Sequence, residues 1–324
     1  DYTSHGRQRM SQGRRLFGTD GIRGVANTEP MTPELILRLG QVVGSSLAAG
    51  GGGTRPTVVI GRDSRVSGRM LEAAMAAGLS SAGADVLLAG VVPTPVVAFV
   101  TRQLGAAAGV VVSASHNPFA DNGIKLFDHA GFKLDDAAEA EIEARLAEPM
   151  LQPRPAGAAL GRIADLADAN ERYLAFLVGS LRTDVRLEGR RVVFDGANGS
   201  AYRVGVELLE LLGAEVIGIG VAPDGININE GCGAVHADTA AAQVRQLGAD
   251  LGVVVDGDAD RIVLVDENGD LVDGDEILAI LATHRPGAIG AAVVGTVMSN
   301  MGLELALRAQ KRSHKTTKKV TPSR

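Results

Sequence analysis

The sequence predicts repeated α/β domains, with mixed, mostly parallel sheets flanked by helices and a third domain left incomplete. One order of apolar strands, polar loops and helices occurs twice along the chain, and strands alternating with helices build parallel sheets. Forty-two glycines among 324 residues, with no Trp and three Tyr, suit tightly turning α/β units better than an aromatic-rich sandwich. That length also allows two or three domains, each with its own core.

In the first copy, residues 57–60 form a strand that ends in Gly61-Arg62-Asp63-Ser64-Arg65, and a helix follows over about 68–82. A second strand at 85–89 leads through Pro93-Thr94-Pro95 into another helix. A third, at 109–112, ends in Ser113-Ala114-Ser115-His116-Asn117-Pro118. The second copy repeats this with a strand at 191–194, a helix at about 201–212, a strand at 215–219, a helix at 238–247 and a strand at 251–255. Its last strand runs into Asp256-Gly257-Asp258-Ala259-Asp260-Arg261, and another apolar run, 262–265, follows. The serine loop and the acidic loop therefore hold equivalent places. Parallel sheets carry their sites beyond the carboxyl ends of the strands, so two related domains are expected to face these loops into one cleft.

A third copy starts with a strand at 291–294, a loop at 295–300 and a helix at 301–310, then stops. The expected boundaries are a disordered extension at 1–13, a first domain at 14–165, a second at 166–273, a partial third at 274–310 and a basic disordered tail at 311–324. With Asp1 in place of Met, the first ten or so residues are expected to lie outside the natural start.

Net charge is −6, yet the tail holds six of the 32 basic residues and none of the 38 acids, which leaves the body more acidic. Nothing in the body reads as a nucleic-acid surface. Cys232 is the single cysteine, no apolar run reaches membrane-spanning length and the first 15 residues lack an apolar signal core. The expectation is a cytoplasmic protein without a membrane partner, a homodimer being the association considered.

The acidic loop places Asp256, Asp258 and Asp260 at alternate positions with only Gly and Ala between them. Three carboxylates this close repel one another unless a hard cation sits among their oxygens. Few ligands, with room for water and phosphate, favour one Mg2+ over a calcium cage. An EF-hand register accommodates the aspartates, but its sixth position holds Arg261 instead of Gly and a strand follows instead of a helix. A solvated acidic turn remains the plain alternative, since Asp and Gly are ordinary turn residues.

In the serine loop, a hydroxyl needs a base or must arrive already phosphorylated. No Gly-x-Ser-x-Gly elbow is present, which disfavours acyl chemistry. His116 beside Ser115 suits either a base or a hydrogen-bond donor to phosphate. Groups suited to phosphate lie nearby in sequence: Arg23 in a glycine-flanked turn, Arg62, Asp63 and Arg65 between a strand and a helix, and Lys125 just after the serine loop. Each arginine alone is equally consistent with a surface ion pair. Together with a metal loop they favour phosphoryl transfer.

Ser-Ala-Ser-His-Asn-Pro (113–118), Asp-Gly-Asp-Ala-Asp-Arg (256–261) and Gly-Thr-Asp-Gly-Ile-Arg-Gly (18–24) together resemble the α-D-phosphohexomutases. The stretches LFGTDGIRGVAN (16–27) and PDGININEGCG (223–233) resemble the branch acting on glucosamine phosphates. The resemblance spans roughly 13–309. It implies interconversion of glucosamine 6-phosphate and glucosamine 1-phosphate, for UDP-N-acetylglucosamine synthesis. The route would be a phosphoserine enzyme with glucosamine 1,6-bisphosphate as activator and intermediate. By the same match Ser115 would be the phosphoserine and, with Asp256, Asp258 and Asp260, would hold Mg2+. Lys125 would be the acid or base, His116 would lie next to the reacting phosphate, and Arg23 and Arg261 would stabilise charge there. Arg62, with Asp63 beside it, would help bind phosphate from farther out.

Family members also carry a sugar-reading Gly-Glu-x-Ser-Gly-His loop and a Ser-Gly-Thr-Glu phosphate cradle, and neither occurs in this sequence. The expectation is a fragment, frameshifted product or incomplete gene reading with little mutase turnover, because binding at the nonreacting end of a sugar positions it for transfer. Rival readings are another phosphohexomutase, a metal-dependent phosphatase with Asp256 as nucleophile, and a non-catalytic module that binds sugar phosphates. The phosphatase motif prefers Thr or Val where this chain has Asp260.

Overall fold

The computed structural model describes residues 16–18, 20–50, 55–149, 154–181, 185–284, 292–309 and 313–317. The expected extension at 1–13 lies outside them. The first domain contains, in chain order, β1 (Ile22–Val25), α1 (Pro33–Gly50), β2 (Thr57–Arg62), α2 (Gly68–Ser81), β3 (Asp85–Val91), α3 (Thr94–Gln103), β4 (Ala108–Val112), β5 (Asp121–Asp128), α4 (Asp136–Ala147) and β6 (Ile163–Asp165). They form one sheet in the order β1-β5-β4-β2-β3-β6. Neighbours from β4 through β6 run parallel, whereas β5 is antiparallel to both β4 and β1.

The period-2 alternation of the strands divides the core. Val58, Ile60, Val110 and Val112 face one layer, which is covered by α1, α2 and α4, and Val59 and Val111 face α3 on the other. Each β-branched side chain is completely removed from water, contributing about 1.5–3 kcal/mol of burial apiece. Helices α1 and α2 meet almost backbone to backbone. A methyl group at Gly78 would lie 2.2 Å from the Leu37 carbonyl oxygen, so only glycine permits that crossing.

Helix α5 (Ala169–Ser180) joins the domains, packing Ala169 against the first core and Leu174 against the second. The second domain then runs through β7 (Arg191–Asp195), α6 (Val204–Leu211), β8 (Glu215–Ile219), α7 (Ala237–Leu247), β9 (Leu251–Val255), β10 (Ile262–Val265) and β11 (Leu271–Val272). Its sheet order is β11-β10-β9-β7-β8. The segment β10-β9-β7-β8 reproduces β5-β4-β2-β3 strand for strand, including the antiparallel partner after the third parallel strand. The repeat read from the sequence is therefore a repeat of topology, and the two candidate loops are its equivalent β4–β5 and β9–β10 connections.

A third unit comprises α8 (Gly274–His284), β12 (Ala292–Thr296), α9 (Met301–Ala309) and β13 (Ser313–Thr317). Strand β13 pairs in parallel with β12 over five residues, so the expected disordered tail is corrected over 313–317. Charge and lack of periodicity disguised it, because a parallel ladder is made by backbone groups and does not require apolar alternation. Among the described residues, no helix is long and apolar enough to cross a membrane.

Candidate active site

Both loops leave buried parallel strands and turn sharply through a non-glycine residue in the left-handed region, Ser115 at φ 53° and Ala259 at φ 54°. Such a conformation costs of order 1 kcal/mol or more and persists where surroundings enforce it. The enforcement is visible around Ser115. Its amide donates to Ser113 Oγ at 3.0 Å, and its carbonyl accepts from Arg65 at 2.9 Å and Asn229 at 3.0 Å. Its hydroxyl consequently points across the domain boundary and donates to Asp256 Oδ2 at 2.5 Å. The acidic loop is docked reciprocally: at the start of α3, the Thr94 amide donates to the Asp258 carbonyl at 2.9 Å, and its hydroxyl to Asp258 Oδ2 at 2.7 Å.

Two cations answer the three carboxylates. Lys125, on β5, donates to Asp258 Oδ2 at 2.6 Å and Asp260 Oδ2 at 2.9 Å. Arg261 donates to Asp256 Oδ2 from Nε at 3.1 Å and from Nη2 at 2.9 Å, and reaches Ser115 Oγ at 3.1 Å. Burial works against charge on Asp258, but the Lys125 ammonium overcomes it and holds the carboxyl below its ordinary value. Asp256 goes the other way, raised by burial and then by its two acidic neighbours. Lys125 is raised because Asp258 and Asp260 outweigh its own burial.

Two cations thus face three carboxylates. One carboxylate oxygen from each of Asp256, Asp258 and Asp260 falls within 4.8 Å of the others, and Asp258 Oδ1 is buried with no hydrogen-bond partner among the described residues. An orphaned buried acceptor among hard oxygens is what a small divalent cation would satisfy. The donor set therefore fits Mg2+, and Ser115 Oγ adds a neighbouring oxygen.

A cleft of about 330 Å³ opens on this cluster, with Arg23, Ser115, His116, Lys125, Lys133 and Arg261 among its walls. Arg23 sits on β1, the edge strand paired to β5, where it contacts Asp20 at 3.3 Å and its buried Nε has no partner among the described residues. His116 Nδ1 lies 3.4 Å from Ser115 Oγ and contacts the Arg261 guanidinium. Burial, followed by the charges of Arg261 and Arg23, holds the imidazole below its ordinary value. With Arg261 donating to Nδ1, the ring proton resides on Nε2. An NMR titration of the metal-free protein is expected to show His116 protonating at lower pH than an exposed histidine. Because the unfolded chain takes up that proton first, this residue contributes a loss of stability as pH falls through the ordinary histidine range. A value at or above that of a free histidine would contradict the arrangement.

The structure thus brings together Arg23, Ser115, His116, Lys125, Asp256, Asp258, Asp260 and Arg261. It does not bring Arg62 and Asp63 to the cleft. Arg62 is buried against Glu72 at 3.2 Å and the Asp63 carbonyl at 3.3 Å. Asp63 is wholly buried beneath the serine loop, accepting from Arg65 at 2.8 Å and Ser113 Oγ at 2.6 Å. Arg65, read as a phosphate-facing guanidinium, is buried as well and spends its donors on the carbonyls of Ser115, Asn117, Pro118 and Asp121. Sequence reasoning missed Thr94 and Asn229. The only signals were the Pro93-Thr94-Pro95 turn and the 223–233 stretch, neither of which points to a role by itself.

Residues 14–152 match the family described as phosphoglucomutase/phosphomannomutase, alpha/beta/alpha domain I, residues 171–269 its domain II and residues 273–319 its domain III. The last match extends past residue 309, where the sequence resemblance was expected to end. The phosphoglucosamine mutase of Rhodospirillum rubrum is 52% identical over 298 residues, covering 91% of this chain and 66% of that protein. That of Granulibacter bethesdensis is 52% identical over 299 residues, covering 91% and 65%. The chain therefore spans about two thirds of the length of these relatives. Among solved structures, a putative phosphomannomutase from Thermus thermophilus superposes with a TM-score of 0.81 at 26% identity, covering 93% of this chain and 68% of that one. A phosphoglucomutase/phosphomannomutase family protein from Burkholderia thailandensis gives 0.78 at 26%, covering 92% and 65%.

Proposed function

Because this chain belongs to the phosphoglucomutase/phosphomannomutase family, we propose that its two facing loops carry phosphoryl transfer between Ser115 and a sugar phosphate. The reaction assigned is interconversion of glucosamine 6-phosphate and glucosamine 1-phosphate, with glucosamine 1,6-bisphosphate formed and consumed in the cleft. The observation that carries this reading is the 2.5 Å approach of Ser115 Oγ to Asp256 within a cleft walled by Arg23, Lys125 and Arg261.

Phosphoryl transfer asks a protein mainly for in-line positioning and for neutralising the equatorial oxygens. Ser115 supplies the oxygen that lends and recovers the phosphoryl group, its direction set by the constrained backbone. Arg23 and Arg261 supply charge at the phosphoryl oxygens, and Arg23 Nε, buried with no partner among the described residues, is a donor still to be used. Lys125, in the cleft wall with His116, gives or takes the proton of the reacting sugar hydroxyl in this reading, and His116 presents Nε2–H to phosphate. Mg2+, bound among Asp256, Asp258 and Asp260, would offset the repulsion between the acidic loop and the phosphate.

The phosphatase alternative is disfavoured by access. Asp256 is completely buried, with Ser115 and Arg261 on its carboxylate, whereas a nucleophile must meet the incoming phosphorus. Incubating the chain with Mg2+ and glucosamine 1,6-bisphosphate labelled with ³²P, followed by phosphopeptide mapping, tests the proposal. Label is expected on Ser115 and absent from Ser115→Ala. Acid-stable, base-labile behaviour is the expected phosphoserine signature, and an acyl phosphate on Asp256 would overturn the reading.

A further inference from the structure

Ser115 and the acidic loop belong to different domains, so their register must be held by something other than the covalent chain. Thr94 and Lys125 hold the acidic loop itself, and the hydroxyl bond to Asp256 provides one tie on Ser115. It is lost whenever a phosphoryl group is on the serine, because the O–P bond replaces the O–H bond and the donor disappears. A second tie uses no side-chain atom of Ser115. Asn229, from the 223–233 stretch of the second domain, donates from Nδ2 to the Ser115 carbonyl at 3.0 Å and to the Asn117 carbonyl at 3.2 Å. Its own amide is anchored to the Ala197 carbonyl at 2.8 Å, and only 6% of the residue is exposed.

Arg65 holds the same two carbonyls from within the first domain, at 2.9 and 2.8 Å, and so cannot register one domain against the other. The fit around Asn229 is close. A methyl group at Gly257, inside the acidic loop, would lie 2.6 Å from the Ser115 carbonyl oxygen and 3.0 Å from Asn229 Nδ2. The amide, the serine backbone and the acidic loop are thus in mutual contact.

We propose that Asn229 is a positioning residue that keeps the Ser115 backbone in register with the acidic loop when the serine hydroxyl cannot. The proposal builds on phosphoryl transfer at Ser115, and its first test is independent of that chemistry. Ser115→Ala removes the hydroxyl tie without requiring phosphorylation. Hydrogen exchange of residues 113–121 in the 324-residue chain is expected to stay slow in Ser115→Ala and to accelerate about tenfold in Ser115→Ala/Asn229→Ala. Unchanged exchange in the double variant would overturn the proposal.

The second test uses Asn229→Ala alone, with labelled glucosamine 1,6-bisphosphate as the phosphoryl donor. The labelling rate of Ser115 at saturation should fall about 10- to 100-fold, with the half-saturating concentration unchanged within about twofold, because Asn229 lies outside the cleft wall. Asn229→Asp, which keeps the shape but sets a carboxylate against two carbonyls, should fall at least as far. A raised half-saturating concentration at an unchanged rate would sink the positioning role. Should the unsubstituted chain take no label, the proposed function fails, while the exchange experiment still decides the role of Asn229.

Discussion

Replacing Arg65 by methionine is expected to lower the unfolding free energy by about 3–5 kcal/mol, the range for breaking a buried charge pair from one side. Neither Arg65 nor Asp63 has any side-chain surface in contact with solvent, and they pair at 2.8 Å. Without the guanidinium, Asp63 keeps the Arg65 backbone amide and Ser113 Oγ as its donors among the described residues. Four carbonyls of the serine loop lose a donor as well. Methionine fills much of the volume and so isolates the polar loss from a cavity effect.

The pH dependence follows from the same pair. Burial already pushes the Asp63 carboxyl above its ordinary value despite Arg65, and removing the cation strengthens that push. A carboxyl raised in the folded state keeps its proton there at pH values where the unfolded chain has released it. Unfolding free energy therefore falls as pH rises through that window, and the penalty of Arg65→Met should shrink towards acid. Urea denaturation at pH 5 and pH 7 checks both statements. A loss below about 1 kcal/mol at pH 7 would show that the loop does not depend on this hub, and Asp63→Asn/Arg65→Met should recover part of whatever is lost.

Arg65 also marks the limit of what could be read from the chain alone. The strands bearing chemistry were legible because β2, β4, β7 and β9 are near-continuous apolar runs closed by conspicuous polar loops, as buried parallel strands require. The serine loop and the three aspartates stand out by their position at those strand ends, whereas the choice of Ser115 within its loop rests on the family resemblance. An arginine at a strand end, however, looks the same in sequence whether it meets a phosphate or the neighbouring loop. Arg62, the last residue of β2, turns onto Glu72, and Arg65, beyond the strand, turns onto the carbonyls of the neighbouring loop. Thr94 and Asn229 were invisible for another reason: their partners lie 164 and 114 residues away along the chain. The sequence of β1 reads as a glycine-flanked turn, because four residues with two polar or glycine positions carry little periodicity; pairing with β5 is what makes it a strand.

The second large effect concerns the metal. Asp258→Asn is expected to weaken Mg2+ binding at least about a hundredfold, because charge count and oxygen donors set affinity for a hard cation. Asp258 contributes both, through an orphaned buried oxygen and a carboxyl held ionised by Lys125. The substitution also leaves Lys125 with Asp260 as its remaining carboxylate partner, which confuses any comparison of metal-free stabilities. The increment produced by metal avoids this confusion. A concentration about one hundred times the unsubstituted protein's Kd adds about 2.7 kcal/mol, whereas a site weakened about a hundredfold retains about 0.4 kcal/mol at that concentration. Thermal or urea unfolding with and without Mg2+ reads the difference directly, and needs no turnover by the chain. Should Asp258→Asn retain the full increment, Mg2+ binds somewhere other than the acidic loop, and Ser115 Oγ loses the neighbouring charge on which phosphoryl transfer at this site depends.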